Sequence, residues 1–177
     1  RSPQLLEIIH TNICGPFDVP TFGREKYFIT FIDDYSRYCY LYLLHDKSQS
    51  VDVVQVIIIE VERQLYRKVK IIRSDRGSEF YGGYDEIGQH LGPFAKLLQK
   101  LGIVAQYTTP GSPWQNGAAE RQNRTYMEIV RSLMSRANLP ISLWMDVLHT
   151  AIYILNRVPS KAVPKTPFEL WKGWKPS

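Results

Sequence analysis

Apolar and polar residues alternate from Leu5 to Ile13, with Leu6, Ile8, His10 and Asn12 on one face and Leu5, Glu7, Ile9, Thr11 and Ile13 on the other, until Gly15-Pro16 ends the run. This pattern predicts a first strand. Tyr27 to Ile32 and Tyr38 to Leu44 are aromatic and β-branched, and the Asp33-Asp34-Tyr35-Ser36-Arg37 segment between them has turn chemistry and the makings of local ion pairs, so the two runs predict a hairpin. Next, Val54, Ile57, Ile58, Val61 and Leu65 repeat at i, i+3, i+4 spacing behind Ser48 or Ser50, either of which can cap a helix. The β-branched run there would also suit a buried strand; the spacing favours helix. Val69 to Arg73 predicts a short buried strand, Pro93 to Leu101 a helix closed by Gly102 in the left-handed region, and Ile103 to Thr108 a fifth strand.

The loop from Thr109 to Gly117 carries Pro110, Gly111, Pro113 and Gly117, and the chain beyond it is strongly periodic. Tyr126, Ile129, Val130, Leu133, Met134 and Ala137 share one helical face, and Trp144, Val147, Leu148, Ala151, Ile152 and Leu155 share another on the following helix; both stripes are read as core. Three strands, a helix, a strand, a helix, a strand and then helices predict an α/β domain, a five-stranded mixed sheet flanked by helices with additional C-terminal helices. Residues 1–158 are read as one domain and residues 159–177 as a Pro- and Lys-containing C-terminal extension.

The 177 residues, 44% hydrophobic and 12% aromatic, suffice for one sizeable core and exclude a disordered chain. No apolar run approaches the roughly 18 residues of a spanning helix, so no membrane partner is expected. Cys14 and Cys39 with His10, His45, His90 and His149 lack the paired spacings of a zinc site, and two cysteines without an apolar leader point to a reducing setting. A chain that begins at Arg1 is expected to be a piece of a longer one. Its net charge of +5 is unevenly placed: from Arg121 onward nine Lys or Arg stand against three Asp or Glu, whereas the first 120 residues hold 13 against 14. A basic C-terminal third is compatible with a polyanionic partner.

Two acids stand where chemistry could sit. Asp75 directly follows an apolar strand, at the sheet edge where open α/β sheets place ligands, and could hold a divalent ion or could simply cap its turn. Glu120 opens the long helix on the same flank as Arg124, Met127 and Arg131, which suits either a site or a helix-stabilising Glu to Arg pair.

Four segments in order change the weighing: His10-Thr11-Asn12-Ile13-Cys14-Gly15-Pro16, Phe31-Ile32-Asp33-Asp34-Tyr35-Ser36-Arg37, Arg73-Ser74-Asp75-Arg76-Gly77-Ser78-Glu79, and Gln115-Asn116-Gly117-Ala118-Ala119-Glu120-Arg121-Gln122-Asn123-Arg124. Together they resemble the catalytic core of a copia-type retrotransposon integrase, from about Leu5 to the Thr166-Pro167-Phe168-Glu169-Leu170-Trp171 segment. The resemblance implies a ribonuclease-H-like fold and a DDE polynucleotidyl transferase, in which two aspartates and a glutamate hold two Mg²⁺ or Mn²⁺ ions for 3′-end processing and strand transfer of DNA.

Carried over by position, Asp75 matches the second catalytic aspartate and Glu120 the glutamate, both metal ligands in the family, while Asn12 stands where the first aspartate is found. An amide offers a carbonyl oxygen but no charge with which to bridge two cations, so weakened metal binding and impaired strand transfer are expected. Asp18, Asp33 and Asp34 lie outside the matched motif and are not expected to substitute. Asn116, Arg121, Asn123, Arg124 and Arg131 are implied DNA contacts or supports of the site, Met127 departs from a lysine of retroviral relatives, and Tyr107 and Trp114 are candidates for stacking on unpaired bases. The resemblance also implies a homo-oligomer acting on element ends and target DNA, in the nucleus after passage in a cytoplasmic particle. Two other readings stand beside it: a catalytically inactive nucleic-acid-binding or assembly module, and a ribonuclease-H-like nuclease of another branch.

Overall fold

The computed structural model describes residues 1–75, 77–85, 88–108, 117–159 and 165–175. Strands β1 (Ile8–Cys14), β2 (Tyr27–Asp33) and β3 (Cys39–Leu44) form an antiparallel meander, and α1 (Ser50–Leu65) crosses over to β4 (Ile71–Ser74), parallel to β1. A short helix α2 (Ser78–Tyr81) and a two-stranded ribbon, β5 (Gly83–Asp85) with β6 (Gly88–His90), precede α3 (Pro93–Lys100) and β7 (Val104–Tyr107), which runs parallel to β4. Then come α4 (Gly117–Ala137), α5 (Trp144–Arg157) and α6 (Pro167–Lys172). The main sheet has the order β3-β2-β1-β4-β7, the five-stranded mixed sheet expected from the sequence.

β2 explains why its sequence is almost continuously apolar: both its faces are covered. Ile29 and Phe31 enter one core with Val54, Ile57, Val61, Phe94 and Leu98 from α1 and α3, while Phe28 and Ile32 enter a second with Tyr126, Val130, Trp144 and Leu148 from α4 and α5. The α1 stripe is buried at Val54, Ile57, Ile58 and Val61, as its spacing predicts. Its cap differs from both expected serines: Asp46 caps a 3₁₀ turn over Lys47–Gln49 that leads into the helix, and Ser50 is the first buried helical residue. The first strand starts three residues later than predicted, at Ile8, because Leu6 stands in the left-handed region at φ 62° and interrupts the extended run. The α4 stripe also ends early. Tyr126 and Val130 are buried, Leu133 and Met134 are half-buried, and Ala137 is exposed in the last turn before the left-handed Asn138.

Gly102, at φ 70°, closes the α3 turn as expected. At the other end of the chain a Thr166–Glu169 capping box, Pro167 in the first turn and Gly173 at φ 80° delimit α6. The Trp171 ring stacks on Tyr38 with centroids 5.2 Å apart, so α6 packs beside the β3 edge of the sheet. Among the described residues no helix is long and apolar enough to cross a membrane.

Candidate active site

Parallel β1 and β4 end at the same edge of the sheet, and their register decides what meets there. The ladder pairs Ile8 with Ile71, Ile9 with Ile72 and His10 with Arg73 and ends there; Asn12 and Asp75 each lie two residues beyond that last pair, Asp75 just past the end of β4. Side chains alternate across a strand, so Asn12 shares a face with His10, Cys14 and Arg73, and the Asp75 charge reaches the Cys14 thiol on that face. Across the antiparallel β1–β2 pair, Asn12 is opposite Thr30.

This is the face that α4 covers. The helix is tied down by Asn123, 4% exposed, whose side-chain oxygen accepts a hydrogen bond from Thr30 Oγ1 at 3.0 Å and whose amide donates to Cys14 Sγ at 3.3 Å. Asn12 Nδ2 lies 4.0 Å from the same sulfur. Glu120 precedes Asn123 by one helical turn, about 4.5 Å along the axis, and is exposed. Asn12, Asp75 and Glu120 thus come from a strand, a strand end and a helix start, and the Asn123 contacts tie the helix to β1 and β2. Burial pushes the Cys14 thiol up to about 11; the Asn123 hydrogen bond opposes this and the nearby Asp75 charge adds to it.

Asp75 is half-buried, and its Oδ1 accepts from the Gly77 N–H at 2.9 Å, the turn-capping role that its position allows. A Cβ on Gly77 would stand 3.0 Å from that oxygen and 2.7 Å from Glu79 Oε2, so a side chain there would displace the Glu79 carboxylate and crowd that of Asp75. Lys47 Nζ reaches Glu79 Oε1 at 2.8 Å. The Glu79 bond and charge raise the Lys47 pKa against its slight desolvation, and the Asp75 charge contributes from nearby. Lys47 and Thr30 stand near the predicted positions without a sequence motif that marks them, whereas Cys14 and Glu79 lie inside two of the matched segments.

The neighbouring acids are committed elsewhere. Asp33 pairs with Ile9, three residues along β2 from Thr30, and is 2% exposed. Its carboxylate accepts from Leu6 N, Ser36 N and Ser36 Oγ. Asp34 accepts from Ser2 N and Arg37 and meets His10 Nε2 at 2.8 Å. These are the turn contacts and local ion pairs expected of the hairpin, and Asp18 is exposed in the loop after β1. Among the described residues no three His, Cys, Asp or Glu side chains gather as a metal group.

Of the positions implicated in DNA contact, Arg121, Arg124 and Arg131 are exposed along α4. Asn123 points inward, as above. Tyr107 is half-buried, donates its hydroxyl to the Phe80 carbonyl at 3.0 Å and meets Tyr81 edge-on with centroids 4.9 Å apart. Met127 is half-buried against the α4–α5 core. Trp114 and Asn116 lie outside the described residues.

Residues 3–113 match the Integrase core domain family, and residues 101–141 match a second family of the same description. The chain is 38% identical over 172 residues to the retrovirus-related Pol polyprotein from transposon TNT 1-94 of Nicotiana tabacum, covering 97% of this chain and 12% of that protein. It is 31% identical over 168 residues to the transposon Ty1-DR4 Gag-Pol polyprotein of Saccharomyces cerevisiae, covering 94% and 10%. It thus spans about a tenth of the length of these relatives. Among solved structures, a simian T-cell lymphotropic virus intasome in complex with the PP2A regulatory subunit B56 gamma aligns with TM-score 0.71 at 16% identity, over 96% of this chain and 55% of that one. The HTLV-2 integrase catalytic core in complex with magnesium aligns with TM-score 0.64 at 14% identity, over 97% and 99%. The sheet order and these alignments make the fold ribonuclease-H-like, and the matched residues establish that the chain belongs to the integrase core domain family, with copia-type retrotransposon Pol polyproteins as its relatives.

Proposed function

We propose that this chain is the core of a retrotransposon integrase, built for metal-dependent DNA 3′-end processing and strand transfer and impaired in both by Asn12. The observation that supports the reading is the parallel β1–β4 ladder, whose last pair, His10 with Arg73, lies two residues short of Asn12 and of Asp75, on the side of the sheet that α4, the helix of Glu120, covers.

The donor set fits a hard divalent cation such as Mg²⁺ or Mn²⁺: two carboxylates, from Asp75 and Glu120, and the carbonyl oxygen of Asn12. Asp75, Glu120 and Asn12 would hold such ions, which would supply activation of an attacking oxygen and stabilisation of a leaving oxygen in an in-line phosphodiester displacement. Asn12 supplies one neutral oxygen where a carboxylate would supply charge and a bridge, so this chain suits one weakly held ion better than two. The Gly77 N–H orients the Asp75 carboxylate. Arg121, Arg124 and Arg131 would meet DNA phosphates along the exposed side of α4. On this reading the chain works on nuclear DNA as one copy in a homo-oligomer.

The amide at position 12 also favours a second reading, a module that keeps the fold and the basic helix for DNA binding or assembly without joining DNA. Joining of precut element-end DNA, in Mg²⁺ or Mn²⁺, separates the two when the full-length protein is compared as it stands, as Asn12→Asp, and as Asn12→Asp with Glu120→Gln. Joining by Asn12→Asp alone supports an impaired integrase. Joining by the unaltered protein would overturn the impairment, and joining by none would favour the binding module.

A further inference from the structure

α4 carries Glu120 toward the sheet, and the large buried side chains of the helix lie away from that end. Ala119 is fully buried but small, and the large apolar anchors, Tyr126 and Val130, lie two or more turns downstream. Between them two side chains make directed contacts: Gln122, half-buried, donates to the Arg37 carbonyl at 3.2 Å, and Asn123, 4% exposed, bonds to the sheet itself. Its two bonds go to different strands: Thr30 on β2, itself fully buried and the register partner of Asn12, and Cys14 on β1, two residues beyond Asn12 on the same face. One amide therefore grips the strand that carries position 12 and its β2 neighbour, one turn from Glu120. Hydrogen bonds are directional where apolar contacts are not, so the Asn123 bonds set the rotation and axial slide of the helix over position 12, and the Gln122 bond ties its neighbouring flank to the hairpin turn. A side chain turned inward and bonded at both ends is poorly placed to reach a phosphate.

We propose that Thr30, Cys14 and Asn123 form a latch that positions Glu120 over the Asn12–Asp75 edge, making Asn123 a positioning residue rather than a DNA contact. The proposal rests on the reading of Asn12, Asp75 and Glu120 as a metal-dependent site. Outer contacts that orient ligands commonly change metal affinity ten- to a hundred-fold when removed.

The test uses the Asn12→Asp protein as reference and follows three quantities: Mn²⁺ affinity by electron paramagnetic resonance, the melting transition, and kcat and KM for joining precut end DNA. Asn123→Ala is expected to weaken Mn²⁺ binding by about ten-fold or more and to lower kcat with KM for DNA unchanged. Thr30→Val, which removes only the hydroxyl and preserves shape, should move the same quantities in the same direction without loss of folding. In a Glu120→Gln background, Asn123→Ala should cause no further loss of Mn²⁺ affinity, because the ligand it positions is already gone. A raised KM with unchanged Mn²⁺ affinity would overturn the latch and return Asn123 to the DNA interface. Additive losses in the double variant, or no Mn²⁺ binding by the reference protein, would also overturn it. Mn²⁺ binding without joining would instead defeat the integration reading, and the affinities would still decide the latch.

Discussion

The Asn156 side chain bonds both backbone groups of Cys39: its oxygen accepts from the Cys39 N–H at 3.0 Å and its amide donates to the Cys39 carbonyl at 2.9 Å. Cys39 begins β3, the edge strand, and both residues are buried. A side-chain amide on α5 thus completes the sheet edge as a further strand would, and joins helix to sheet. Asn156→Ala would leave a buried donor and a buried acceptor without partners, a cost of about 2–4 kcal/mol. A urea titration read by circular dichroism checks this, and a loss below about 1 kcal/mol would mean that the edge is satisfied in another way.

Acid should weaken the turn of the same hairpin. Burial alone would push the Asp34 carboxyl up, but its bond to His10, the Ser2 N–H and the Arg37 charge outweigh burial and hold it well below the usual carboxylate range. A carboxylate with a depressed folded-state pKa adds stability that is present above its unfolded value, about 3.9, and is lost as pH falls below it. Asp34→Asn should therefore be less stable than the parent at neutral pH and lose less on acidification from about pH 5 to pH 2. Equal acid limbs in the two proteins would remove Asp34 from the account.

DNA binding on the proposed reading depends on exposed guanidinium groups. Arg121, Arg124 and Arg131 stand free of the core along α4. If all three neutralise phosphates, replacing them with alanine should lower the steepness of log affinity against log salt by about 3, while Tyr107→Ala, whose ring packs inward, should leave it unchanged. Fluorescence anisotropy with duplex DNA between about 50 and 200 mM salt measures this, and an unchanged slope in the triple variant would place the DNA on another face.

The elements of this domain are legible in the chain because each rests on local periodicity. The α1 segment, Val54 to Leu65, is β-branched enough for a strand, yet its i, i+3, i+4 spacing decides for helix, and the buried positions agree. The α4 stripe is legible only in part: spacing says that Ala137 shares a face with Tyr126, but whether that face is still covered there depends on where neighbouring elements end. The short α2 and the β5–β6 ribbon went unread because segments of three or four residues carry too few positions for a period to show.

Asn12, Asp75 and Glu120 could be singled out from the chain alone, since a strand end and a helix start are local features and the motifs around them are distinctive. Their spatial relation could not. It follows from a register between strands about 60 residues apart in sequence and from the Asn123 contacts, which bridge 93 residues to Thr30 and 109 to Cys14. The inward turn of Asn123, the bonds of Asp33 and Asp34, and the Lys47–Glu79 pair belong to the same class. Sequence by itself determined the faces, the element order and the chemical types available, because side-chain period and composition are properties of neighbours along the chain. Only the tertiary structure decided which polar groups spend their bonds inside the protein and which remain for a ligand, because a hydrogen bond depends on a partner that the fold, and not the chain, brings within reach.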